Sequence, residues 1–195
     1  MDTSPSLAPA LLLSMPQLAD PNFNRTVVLL CRHNEEGAFG LVVNRPVMTS
    51  GPVMVQVRSD ATTERETLET SEELQVWVGG PVEPQRSWIL VGHDEDTAEQ
   101  ERGVSIVDGL YLSTSPELLR RVLGPNPPAR TRLIVGYSGW KSGQLEAELR
   151  ASAWLTSEVD RELIFGTAPD RMWETALRRL GADPSTLQMS SFEVH

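Results

Sequence analysis

Apolar and polar positions along this chain alternate between two regimes. In the first half, short apolar runs end at glycine or proline. Leu11–Ser14 predicts a first strand, closed by Met15-Pro16. Val27-Val28-Leu29-Leu30-Cys31 is apolar at successive positions, so both of its faces must be buried. That predicts a central strand within 25–33. Gly37 breaks the run, and Phe39–Asn44 returns as its hairpin partner. Further strands are predicted at Val53–Val57, Gln75–Val78, Ser87–Val91, Leu110–Leu112 and Arg132–Val135. Residues 59–73 are polar and acidic and predict a loop or weak helix, and 93–102 another charged loop. Within 47–74 the pattern does not fix a conformation.

Helical spacing dominates the second half. Ser115 is placed as an N-cap, Pro116 as the first helical residue and Glu117 near the positive helix end. Leu118, Leu119, Val122 and Leu123 give the apolar face, and Gly124-Pro125 stops it. A second helix starts at Gly143 with Leu145 and Leu149 inward. A third spans 169–180, where Trp173, Ala176, Leu177 and Leu180 recur at i, i+3, i+4, i+7. Strands without intervening helices, followed by gathered helices, predict an α+β domain and not a doubly wound parallel sheet. Residues 1–9 are expected to form a flexible tail ahead of a single domain over 10–195.

Charge narrows the function. Seventeen basic and 27 acidic residues give a net charge of −10. This opposes attraction to nucleic acid and to anionic membrane, which depends on clustered Lys and Arg. One cysteine, Cys31, permits no intramolecular disulfide. It fits a reducing cytoplasm, as does the lack of a basic flank before the short apolar run Leu7–Met15. No stretch has the length of a membrane span.

Motifs near catalytic patterns fail in detail. Gly136-Tyr-Ser-Gly-Trp-Lys-Ser-Gly143 ends like a phosphate-binding loop. Trp140 and Val135, however, occupy two positions that must be glycine. The expectation is a tight strand-to-helix turn with Trp140 packed over it. Ser138 lacks the spacing of a nucleophile elbow, and His33, His93 and His195 lie in no recognisable motif. Cys31 and His33 share a strand face but are too few for zinc. Gly79-Gly80-Pro81 precedes a strand, not the helix a dinucleotide fingerprint must open. No metal or cofactor is expected, and no catalytic constellation is recognisable.

Two segments concentrate glycine and proline beside polar and aromatic residues: Met15–Pro46 and Gly136–Glu146. Exposed turns of that composition are where binding residues gather. Asp20, Arg25, Asn44, Arg45, Trp140, Gln144 and Glu146 could line one cleft for a small polar ligand. Arg25 and Asn44 are expected in one groove walled by Tyr137 or Trp140.

These segments also carry a resemblance. Leu-Leu-Leu-Ser-Met-Pro (11–16), Asp-Pro-Asn-Phe-Asn-Arg-Thr (20–26), Gly-Ala-Phe-Gly-Leu-Val-Val-Asn-Arg-Pro (37–46), Gly-Gly-Pro-Val (79–82), Gly-Tyr-Ser-Gly-Trp-Lys-Ser-Gly-Gln-Leu-Glu (136–146) and Ala-Trp-Leu (153–155) resemble the AlgH/YqgE family of bacterial proteins. The match covers most of 10–192. It departs at 47–74, where Gly51-Pro52-Val53-Met54-Val55 replaces a leucine-rich helix. The resemblance implies an α+β fold with a divided mixed sheet curled into a pseudo-barrel and surrounded by helices. It implies ligand-binding candidates at Asp20, Phe23, Arg25, Asn44, Arg45, Tyr137, Trp140 and Gln144. The family's name comes from a link to alginate regulation in pseudomonads, and many members carry a transcriptional-regulator label. No established activity comes with it. The expectation is a cytoplasmic protein that binds a small ligand or a protein partner in a regulatory role. The alternatives are an enzyme using a cleft carboxylate (Glu146 or Asp20) with Arg25, or a DNA-binding regulator, which the net charge disfavours.

Overall fold

The computed structural model describes residues 6–16, 18, 20–48, 53–58, 65–70, 74–92 and 97–189. In chain order the strands are β1 (Ala10–Ser14), β2 (Val27–Asn34), β3 (Gly37–Val42), β4 (Met54–Arg58), β5 (Arg65–Glu69), β6 (Val76–Val78), β7 (Val82–Gly92), β8 (Val104–Val107), β9 (Leu110–Ser113), β10 (Thr131–Lys141) and β11 (Trp154–Ser157). Six α-helices lie among the described residues: α1 (Glu99–Arg102), α2 (Pro116–Leu123), α3 (Gln144–Arg150), α4 (Arg161–Gly166), α5 (Pro169–Arg179) and α6 (Pro184–Met189). A 3-10 turn covers Pro21–Phe23. The class is α+β, and the sheet is divided and mixed, antiparallel except for the β4–β7 and β6–β10 pairs.

The chain forms two compact units. Unit one takes residues up to Arg45 together with those from Ser138 onward, and unit two takes Pro46–Tyr137. In unit one the strands run β11-β1-β2-β3 and then the end of β10, all antiparallel. Val27–Leu30 is fully buried, as two-sided apolarity requires, with β1 on one side and β3 on the other. Leu12, Val28, Leu30, Trp140, Leu145 and Trp154 are the larger members of the core against which α3 packs. Helix α5 is tied to β1 by the Trp173 indole, which donates to the Ser14 carbonyl at 2.9 Å.

In unit two, β7 lies between the start of β10 and β9, β8 extends from β9, and the β4–β5 hairpin joins through β4. Helix α2 covers this core with Leu118, Leu119 and Val122 against Ile89, Val91 and Leu133. Its start is built as the sequence predicts: the Ser115 hydroxyl accepts from the Leu118 N–H at 3.2 Å, with Pro116 next in line.

Several elements differ from the sequence reading. Arg65–Glu69, read as loop or weak helix, is a strand in antiparallel register with Met54–Arg58. Cross-strand pairing with β4 supplies order that an acidic composition hid; residues 59–64 and 71–73 lie outside the described residues, as do 93–96. Glu99–Arg102 forms a short helix where a charged loop was expected. Strand β10 does not end at Val135. It bulges between Val135 and Tyr137 and runs on to Lys141, because Gly37–Gly40 offers a free edge for Ser138–Lys141. The turn to α3 is therefore confined to Ser142-Gly143. Leu180 caps α5 and is 43% exposed, not core, since the helix closes at Arg179.

Candidate functional site

The polar residues of the first motif build a rigid turn in unit one. The Asp20 carboxylate accepts from the Asn22 backbone N–H at 2.8 Å and the Asn22 side-chain amide at 2.9 Å. Pro21 sets the first φ of the turn. The Phe23 carbonyl accepts from the Thr26 hydroxyl at 2.9 Å. From the far end of β3, the Arg45 guanidinium donates to the Asn24 carbonyl at 2.9 Å and the Pro21 carbonyl at 3.3 Å. Desolvation lowers the pKa of Arg45, and the nearby Asp20 charge opposes that shift. Asn44 is buried. Its side-chain oxygen accepts from the Val27 N–H at 2.9 Å, and its amide donates to the Arg25 carbonyl at 3.0 Å. This fixes Arg25 at φ +53°, a left-handed conformation unusual outside glycine.

Phe23 joins this turn to the second motif. Its ring stacks on Trp140 with centroids 6.3 Å apart and meets Trp154 edge-on at 5.5 Å. Trp140 and Trp154 are themselves edge-to-face at 6.0 Å. Both indole N–H groups donate to one oxygen of Glu148, at 2.9 and 2.7 Å. The other Glu148 oxygen accepts from Gln144 at 2.9 Å, and the Gln144 carbonyl oxygen accepts from the Lys141 N–H at 3.1 Å. The start of α3, the end of β10 and the aromatic cluster are thus one hydrogen-bonded assembly. Close backbone contact between β3 and β10 permits it: a Cβ on Gly37, at φ +135°, would lie 2.1 Å from the Trp140 carbonyl oxygen.

Arg25 turns its guanidinium to α5. It pairs with Glu174 at 2.7 Å, lies 5.0 Å from the Trp173 ring centroid and stays about half exposed (47%). Glu174 also reaches Arg178 at 3.4 Å.

His33 and Glu146 meet at 3.0 Å. The Glu146 carboxyl is held below the usual carboxylate range, first by its own backbone N–H at the start of α3 and then by His33. Cys31 is desolvated, which pushes its thiol up to about 12. That is the state of an inert cysteine. Among the described residues no three His, Cys, Asp or Glu side chains are placed to hold a metal ion.

Tyr137 belongs to unit two. It meets Trp88 edge-on at 6.1 Å, and the Arg86 guanidinium lies 4.4 Å over Trp88. The preceding Gly136, at φ +72°, passes so near the Gly79-Gly80 turn that a Cβ would come within 2.5 Å of the Gly80 carbonyl. The Gly79 N–H donates to the Val135 carbonyl at 2.8 Å. This approach accounts for glycine at position 136. Nearby, the buried Arg132 lies 3.9 Å over Trp77, and desolvation lowers it to about 10.

The structure brings Asp20, Phe23, Arg45, Trp140 and Gln144 into one connected assembly, with Arg25 and Asn44 at the adjoining strand entry. Tyr137 lies with Trp88 in the other unit. Glu148 and Glu174 were not singled out in the sequence. The available signal was i,i+4 spacing, which puts Gln144 with Glu148 and Glu174 with Arg178 on common helix faces.

These features define an α+β protein in which Gly37, Gly40 and Gly136 allow close backbone contact and the polar residues of the first motif order one exposed turn. A family model described as AlgH-like (DUF179) matches residues 11–185, and the chain belongs to that family. A UPF0301 protein of Myxococcus xanthus is 43% identical over 185 residues, covering 94% of this chain and 96% of its own length. A UPF0301 protein of Ruegeria pomeroyi is 37% identical over 182 residues, covering 93% and 95%. The solution structure of the AlgH protein from Pseudomonas aeruginosa superposes with a TM-score of 0.67 at 30% identity, over 100% of this chain and 98% of that one. A Corynebacterium diphtheriae protein with a TM-score of 0.65 and 17% identity, covering 98% and 94%, shares the fold.

Proposed function

We propose that this AlgH-like protein is a cytoplasmic binding protein with a regulatory role. It takes a small polar ligand or a protein partner at the unit-one surface around Asp20–Arg25. The observation that carries this reading is the support beneath an exposed turn. Pro21, Asn22, Asn24 and Arg25 are exposed, yet the turn is held by the Asp20 cap, the Arg45 clamp and the Phe23 aromatic anchor. A turn fixed from below presents its outward groups without an ordering cost on binding. Arg25 offers a cation, and Asn22 and Asn24 offer amides, to one ligand.

An enzyme using Glu146 or Asp20 with Arg25 has less support. Glu146 pairs with His33, and Asp20 caps its own turn. A carboxylate held low, as Glu146 is, makes a weak base. Direct DNA binding is opposed by the net charge of −10.

Two measurements on one protein test the reading. Native mass spectrometry of freshly purified protein reports a retained ligand, and a photo-crosslinking residue at Asn24 in the native cell reports a partner. The expected result is one retained mass or one crosslinked species, lost in an Arg25→Ala, Gln144→Ala double variant that still folds. No retained mass and no adduct specific to position 24 would overturn it.

A further inference from the structure

The residues just before β1 are fastened to the end of β2. The Leu7 backbone N–H donates to Nδ1 of His33 at 3.1 Å, and the Ser6 hydroxyl donates to the His33 carbonyl at 3.1 Å. Leu7 and Ala8 pack on the core that holds Trp140 and Leu145. Residues 6–8 form a strap over unit one.

The two ring nitrogens of His33 face unlike partners. Nδ1 faces a backbone donor, so it must carry a lone pair. Nε2 faces a Glu146 carboxylate oxygen at 3.0 Å, so it must carry the proton. Only the neutral Nε2–H imidazole satisfies both contacts. A second proton would have to go on Nδ1, where it meets the Leu7 N–H head-on. The Leu7 bond would become a contact between two donors, while the Ser6 bond to the backbone carbonyl does not involve the ring. The same proton would strengthen the pairing with Glu146, so the ring would keep that partner.

Among the described residues, the groups packed around His33 are few. The His33 side chain is 5% exposed. Across the sheet it faces Ala38 and then Trp140, neither titratable. Helix α3 contributes Glu146, with Arg150 acting on that carboxylate from one turn on. The strap contributes Ser6, Leu7 and Ala8, all uncharged. Arg32 and Asn34 flank His33 in β2 and, by strand alternation, point to the other face.

We infer that His33 is a proton-operated latch: the neutral imidazole holds the Leu7 amide over unit one, and the imidazolium releases it while staying paired with Glu146. This goes beyond the binding role proposed above and does not rest on it. Acidification would loosen the strap at Leu7 without unfolding the sheet.

Nuclear magnetic resonance of the full chain, labelled with ¹⁵N, tests this. In alkaline solution the His33 ring, assigned by its loss in His33→Asn, should show the Nε2–H tautomer. As the ring titrates, Leu7 amide protection, corrected for intrinsic exchange, should fall by about tenfold or more. The Leu29 amide in β2 should keep its protection. Glu146→Gln, which removes the anion favouring the imidazolium, should move the release to more acidic solution. An Nδ1–H tautomer, Leu7 protection unchanged through the titration, loss of Leu29 protection in step with Leu7, or a release unmoved by Glu146→Gln would each overturn the latch.

Discussion

Trp140 and Trp154 donate to the same oxygen of Glu148, at 2.9 and 2.7 Å, while their rings meet edge-to-face at 6.0 Å. One carboxylate thus satisfies two nearly buried indoles from different strands. Both N–H groups would otherwise be desolvated without an acceptor.

Removing that acceptor should be costly. Glu148→Ala should destabilise the protein by about 2–4 kcal/mol, since charge-assisted bonds to both indoles are lost. Glu148→Gln keeps an acceptor oxygen and should cost about half as much. Urea unfolding followed by tryptophan fluorescence measures both. Equal losses for the two variants would show that the charge, not the acceptor, matters.

The glycines separate space from conformation. Gly37→Ala puts a Cβ 2.1 Å from the Trp140 carbonyl oxygen, and Gly136→Ala puts one 2.5 Å from the Gly80 carbonyl. Each should cost about 4 kcal/mol or more, or prevent folding. Gly143 has a similar positive φ, +73°, with nothing within 4 Å. Gly143→Ala should therefore cost only about 1 kcal/mol, the left-handed penalty alone. Thermal melts of the three variants give the order.

The strands and helices were legible where one face had to be apolar. Val27–Leu30 and the helix capped by Ser115 follow from pattern and cap chemistry alone. Arg65–Glu69 was not legible, because its order comes from pairing with β4 and not from its own composition. The motif residues were legible as important, but not in their duties. Asn44 and Arg45 satisfy backbone groups of segments about twenty residues away, which no local pattern encodes. Glu148 was hidden because a Glu on a short helix reads as solvated surface, and its two indole partners come from separate strands.

Cys31 should be unreactive in the native protein. Burial pushes its thiol up to about 12, so near neutral pH it stays protonated. Iodoacetamide labelling should be slow at about pH 8 and become fast in denaturant. Fast native labelling would show that the thiol reaches water.

Glu146 sets an acid-sensitive contribution. Its folded pKa lies below its unfolded value, so its stabilising effect is complete above the ordinary carboxylate range. That effect is lost as pH falls through the depressed folded value. Glu146→Gln should be less stable than the parent at about pH 7, and the gap should close at about pH 2. Denaturation midpoints across that range check it, and a gap that persists in acid would refute it.

Nucleic acid should bind poorly. With a net charge of −10, the isolated protein should show no sequence-selective DNA binding at physiological salt. Fluorescence anisotropy with labelled duplexes decides this, and submicromolar selective binding would contradict it.

The division of the chain bears on how the protein is made. Unit two is one continuous stretch, Pro46–Tyr137, whereas unit one needs both ends of the chain. During synthesis, β1 and β2 emerge long before β11, the partner of β1, and before Pro169, whose carbonyl receives the Asn44 amide at 3.5 Å. The first 45 residues thus wait for the last third of the protein before their sheet can close. Stalling translation after Tyr137 would leave the buried run Val27–Leu30 with an unfinished core, while both helices of unit two, its strands β4–β9 and its share of β10 are already made.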